Sequence, residues 1–124
     1  MIRTDGEFVR VVLRLAQAEA VADQSPSIEA EHMLLALTAP RALYVASADE
    51  DLWSDPRGEF LSLAATSPVF ALWGDPPIRP ADMPAVDTPI IAGRRGYHVR
   101  TGGHNLTPYD WDRFADFADR VWKH

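Results

Sequence analysis

The chain has 124 residues, 47% hydrophobic and 24% charged, an ordinary globular composition with room for one domain that buries roughly two-thirds of its unfolded surface. Twelve basic against eighteen acidic residues give a formal charge of −6, which opposes the counterion release behind nucleic-acid affinity and offers no attraction to anionic lipid. Neither nucleic acid nor membrane is therefore an expected partner, and the absence of cysteine excludes a disulfide framework, a thiol nucleophile and a zinc-thiolate site.

The opening Met1 to Glu7 carries two acids and no apolar leader core. No stretch approaches the ~20 apolar residues of a membrane span, so cytoplasmic residence is the expectation. From Phe8 to Val21 the apolar residues Phe8, Val12, Leu15 and Ala16, with Val9, Leu13 and Ala20, repeat at three- and four-residue spacing. That spacing predicts an amphipathic helix whose stripe faces a core. Asp23-Gln24-Ser25-Pro26-Ser27 breaks it, with a serine available as N-cap and Pro26 suited to a first turn, so a second helix is expected from about Ile28 to Leu37. Residues 1–37 thus read as a helical hairpin and residues 38–124 as a separate unit.

Thr38-Ala39-Pro40-Arg41 stops the second helix, and Ala42-Leu43-Tyr44-Val45-Ala46 is a short apolar run of the kind a buried parallel strand takes. The acidic turn Asp49-Glu50-Asp51 follows. Pro56 opens a helix in which Phe60, Leu61 and Ala64 share a face, until Ser67-Pro68 interrupts or ends it. Half of the ten prolines, with the turn pairs Gly74-Asp75 and Gly93-Arg94, lie between Trp73 and Gly96, which predicts a long irregular excursion without a ladder. Tyr97-His98-Val99-Arg100 reads as a second short strand, ended by Gly102-Gly103. Thr107-Pro108-Tyr109-Asp110 then places an N-cap, a first-turn proline and an early acid ahead of Trp111, Phe114, Ala118 and Val121, a helix signal. The order implies a two-stranded parallel α/β sheet joined by a crossover. Its open edges predict either covering helices, missing flanking strands, or a homodimer that pairs them.

The run from His32 to Phe60, including Leu43-Tyr44-Val45-Ala46-Ser47-Ala48-Asp49-Glu50-Asp51-Leu52-Trp53-Ser54-Asp55-Pro56, resembles the C-terminal part of the glucuronoyl esterase family of carbohydrate esterases. So does the later Gly96-Tyr97-His98-Val99-Arg100-Thr101-Gly102-Gly103-His104, followed by Thr107-Pro108-Tyr109-Asp110-Trp111. The resemblance implies a partial α/β-hydrolase fold and cleavage of esters of 4-O-methyl-glucuronic acid by a serine triad, with no cofactor. It further implies that His104 holds the place of the catalytic histidine, Asp51 that of the acid after the preceding strand, and Trp53 that of a tryptophan lining the sugar site. No serine here sits in a G-x-S-x-G elbow, and the block that carries the family's serine and oxyanion arginine is absent from the sequence. A chain with the base and acid alone is expected to be inactive by itself and to act on a glucuronate ester only when completed by another segment.

Thr4-Asp5, Ala16-Gln17-Ala18-Glu19-Ala20, Ile28 and Glu31-His32-Met33-Leu34-Leu35-Ala36-Leu37 resemble the first repeat of the Clp ATPase N-terminal domain. That likeness implies a chimera, and a protein partner docking on the N-terminal helices. Beside these implied roles stand plainer ones. His104 could be a polar residue in a Gly-Gly turn, and Asp51 one of three solvated acids with Asp49 and Glu50. Burial in a small core is the expectation for Trp53, and His98 is expected to be a strand residue satisfied by the backbone. Four scattered histidines without an H-x-x-x-H pair predict no metal site.

Overall fold

The computed structural model describes residues 35–123. The expected hairpin over residues 1–37 lies outside them, except that residues 35–37 are helical. In chain order the elements are β1 (Leu43–Ala48), a 3-10 turn (Leu52–Ser54), α1 (Pro56–Ala65), α2 (Ser67–Ala71), a second 3-10 turn (Pro80–Asp82), β2 (Ile90–Ala92), β3 (Arg95–Arg100) and α3 (Pro108–Trp122).

The sheet has three strands in the order β1-β3-β2 and is mixed. β1 and β3 pair in parallel from Leu43 opposite Arg95 to Ala48 opposite Arg100. This is the predicted parallel pair: β1 starts one residue later and ends two later than the expected run Ala42–Ala46, and β3 starts two residues earlier than Tyr97. The third strand corrects the expectation of an excursion without a ladder. Ile90, Ile91 and Ala92 run antiparallel to Tyr97, Gly96 and Arg95, through a turn in which Gly93 takes a φ of 59°. A three-residue strand is too short to show alternation, and the nearby prolines mask it; only the Gly93-Arg94 turn pair signals it.

β3 is the central strand and all six of its residues are buried. Alternation sends Arg95, Tyr97 and Val99 to one face and Gly96, His98 and Arg100 to the other. On the first face Tyr97 and Val99 join Phe60, Leu63 and Ala64 of α1 and the loop residue Ile78 in the main core. Ser67-Pro68 interrupts the helix, as its proline predicts. Thr66 caps the end of α1, and its hydroxyl returns 2.6 Å to the Leu63 carbonyl before α2 begins. The buried Arg95 fills the notch behind that break. Its guanidinium donates to Thr66 Oγ1 at 3.1 Å, Ser67 Oγ at 2.9 Å and the Pro76 carbonyl at 2.6 Å, and lies 4.8 Å above the Phe70 ring. Hydrogen bonds and a ring face, rather than a carboxylate, thus receive a buried cation.

α3 covers the second face. Thr107 and Asp110 form a reciprocal capping box around Pro108, the N-terminal signal predicted for this helix. Phe117 and Phe114 reach down to Tyr44 of β1, with ring centroids 5.1 and 5.4 Å away. Gly96 makes that approach workable, because a Cβ there would stand 2.4 Å from the Tyr44 ring and 3.2 Å from Phe117. Among the described residues no helix is long and apolar enough to cross a membrane.

Candidate active site

Both loops that leave the sheet at the C-terminal ends of parallel β1 and β3 converge on one cavity, the place where open α/β sheets bind ligands. The loop after β1 turns through Asp49, Glu50 and Asp51 into the Leu52–Ser54 turn. Asp55 follows at a φ of 53° and caps α1, accepting the Gly58 N–H at 3.0 Å. A side chain at residue 58 would collide with that capping carboxylate, since its Cβ would lie 2.3 Å from Asp55 Oδ2. The loop after β3 runs from Thr101 to Leu106 without regular structure.

Backbone contacts lace the two loops together. The Asp49 N–H donates to the Arg100 carbonyl at 2.8 Å, the Glu50 N–H to the Gly102 carbonyl at 3.0 Å, and the Gly102 N–H to Asp49 Oδ1 at 2.8 Å. In this frame His104 Nδ1 stands 2.6 Å from Asp51 Oδ2. The histidine side chain is 80% exposed and the aspartate 13%. Of the three neighbouring acids only Asp51 meets the histidine, while Asp49 braces the loop and Glu50 is exposed. The hydrogen bond to His104, helped by one from Ser54, holds the Asp51 carboxyl below the usual carboxylate range. A cavity of about 380 Å³ opens beside the pair, lined by Ser47, Ser54, Glu59, Arg100, Asn105 and Leu106 among others.

Behind the pair lie groups whose roles sequence spacing did not signal. Ser47 donates a short hydrogen bond to Glu59 Oε2, and the Tyr97 hydroxyl lies 3.0 Å from both Ser47 Oγ and the Pro56 carbonyl. Burial pushes the Glu59 carboxyl up, partly countered by the Ser47 hydroxyl, with Asp51 adding to the rise. On the α3 face His98 is completely buried between two side chains. Its Nδ1 meets Tyr44 OH at 2.9 Å and its Nε2 meets Asp110 Oδ1 at 2.8 Å. His98 is therefore satisfied by side chains rather than by the backbone as expected, because the ring points out of the ladder plane into the α3 interface. Burial lowers the His98 pKa despite the nearby Asp110. Asp110 is itself buried, which would raise it, yet bonds from the Thr107 N–H, Arg100, His98 and the Thr107 hydroxyl bring it down to about 2.

Trp53 departs from its expected burial. It is 94% exposed on the turn after Asp51, because that turn points away from both cores and the described residues offer nothing to cover the ring. The described residues hold no group of three or more His, Asp or Glu placed to bind a metal ion.

No protein-family model matches the chain. A carbohydrate esterase from an unknown prokaryotic organism is 39% identical over 89 residues, 72% of this chain and 20% of that protein. A glucuronoyl esterase from Solibacter usitatus superposes with a TM-score of 0.68 at 49% identity, covering 74% of this chain and 23% of that one. The chain is related to the glucuronoyl esterases. A promiscuous CE15 esterase from the marine bacterial metagenome agrees, with a TM-score of 0.68 and 35% identity over 80% of this chain and 25% of that one. A CE15 glucuronoyl esterase from Teredinibacter turnerae does so at 0.65 and 36%, over 73% and 22%. The mixed sheet and its helices are therefore part of an α/β-hydrolase fold, and the chain spans about a fifth to a quarter of the length of these relatives.

Proposed function

We propose that this chain carries the base and its orienting acid for a carboxylic ester hydrolase acting on glucuronate esters, and that the nucleophile comes from a segment outside it. The observation that carries the reading is the His104–Asp51 pair. Asp51 accepts from Nδ1 at 2.6 Å, which fixes the tautomer with its lone pair on Nε2 and stabilises the imidazolium that forms on proton uptake. That Nε2 makes no hydrogen bond to any described residue, and the ring is open to an incoming hydroxyl. The two serines on the cavity wall are engaged elsewhere, Ser47 with Glu59 and Ser54 with Asp51. In this reading the exposed Trp53 contacts the sugar face of the substrate.

The chemistry follows from these placements. A serine hydroxyl presented to Nε2 loses its proton to His104 as its oxygen attacks the ester carbonyl, and the imidazolium returns the proton to the leaving alcohol. Water then repeats the cycle on the acyl-enzyme. The test supplies the missing part: the chain is joined to the preceding segment of a related esterase and assayed on a methyl ester of glucuronic acid. Activity that His104→Ala lowers by at least about 10³-fold supports the reading. A folded, complemented protein with no uronate esterase activity sensitive to His104→Ala would end it.

A further inference from the structure

His104 is mostly exposed, and among the described residues its side chain has one hydrogen-bonded partner, Asp51. A 2.6 Å contact made by a solvated ring at the tip of an irregular loop needs the loop itself to be held. The pattern of acceptors around Arg100 shows what does so. This residue is the last of β3, and its guanidinium is nearly completely buried under the loop. Nη1 donates to the Thr101 carbonyl at 3.1 Å. Nη2 faces the Gly103 carbonyl at 3.2 Å, the Asn105 carbonyl at 2.5 Å and Asn105 Oδ1 at 2.8 Å. The carbonyls immediately before and after His104 thus converge on one nitrogen. The remaining donor, Nε, is tied to Asp110 Oδ2 at 2.8 Å, and Asp110 is anchored in turn by His98 and Thr107.

We infer that Arg100 is a positioning residue for His104: its planar fork converts the rigidity of β3 and the α3 capping box into the placement of the base against Asp51. The inference rests on the His104–Asp51 reading above. A guanidinium is required because one rigid plane must serve a carboxylate on one side and backbone carbonyls on the other. A lysine ammonium keeps the charge beside Asp110 but offers three donors on a single atom, so it cannot span both. Loop carbonyls released from Arg100 turn to water, and the ring swings away from Asp51.

The experiment reads the His104 tautomer in the full 124-residue chain, by two-bond proton–nitrogen correlation of the labelled imidazole ring above its titration range. Wild type should show Nδ1–H, and Asp51→Ala should lose that bias. Arg100→Lys should shift His104 most of the way to the Asp51→Ala pattern, while His98 and the near-ultraviolet circular dichroism report an intact core. A His104 pattern unchanged in folded Arg100→Lys overturns the inference. If Arg100→Lys fails to fold, Asn105→Ala decides. It removes the side-chain acceptor and spares the Arg100–Asp110 pair, so a partial shift in the same direction supports the clamp and none overturns it. A wild-type pattern that ignores Asp51→Ala sinks the His104–Asp51 pairing itself, and the clamp with it, which separates the two failures.

Discussion

Gly96→Ala puts the packing of α3 on the sheet to a quantitative test. The added methyl would sit 2.4 and 2.6 Å from two carbons of the Tyr44 ring and 3.2 Å from Phe117. Tyr44 cannot yield freely, because its hydroxyl is bound to His98 Nδ1 at 2.9 Å and its ring is enclosed by Phe114 and Phe117. If the ring stays, overpacking costs about 1–3 kcal/mol. If it moves, the fully buried His98 Nδ1 is left without a partner, a loss of about 1–3 kcal/mol in its place. Either response costs on the order of 1–3 kcal/mol, a substantial part of the ~5–15 kcal/mol by which small domains are stable. Urea unfolding followed by tryptophan fluorescence gives the value. Tyr44→Ala in the same background removes the obstructing ring, so the double-mutant cycle should show coupling above about 1 kcal/mol. A Gly96→Ala chain within about 0.5 kcal/mol of wild type, or strict additivity with Tyr44→Ala, would refute this account of the interface.

Acid should unfold the domain through Asp110. Its folded pKa of about 2 lies below the unfolded 3.8, so its contribution is fully present above pH 4 and is lost as pH falls toward 2. That contribution is on the order of 2 kcal/mol, and Asp110→Asn should flatten the stability profile over this window. A profile equally steep in the variant would contradict it. Glu59 carries the opposite sign, because burial raises its folded pKa above 4.5, and its ionisation destabilises as pH rises past that value. Glu59→Gln should therefore raise the melting temperature at pH 7 and lose the advantage near pH 4. A gain of the same size at both pH values would point to packing rather than charge.

The elements with strong local chemistry were legible in the sequence. Thr107-Pro108-Tyr109-Asp110 starts α3 as a capping box because those side chains satisfy backbone donors within one turn. Pro56 opens α1, Pro68 breaks it from α2, and apolar runs mark β1 and β3. His104 and Asp51 were named through their resemblance to esterase positions. What brings Asp51 rather than Asp49 or Glu50 to the histidine is decided by the loop-to-loop hydrogen bonds. β2 escaped because three residues carry no period and its ladder depends on a partner strand. The exposure of Trp53 and the burial of His98 were decided by tertiary structure too, since each depends on what stands opposite. Local sequence determines capping, breaking and strand tendency through contacts a few residues apart. Pairings such as His104 with Asp51, 53 residues apart, and Tyr44 with His98, 54 apart, arise only when parallel strands bring distant segments together.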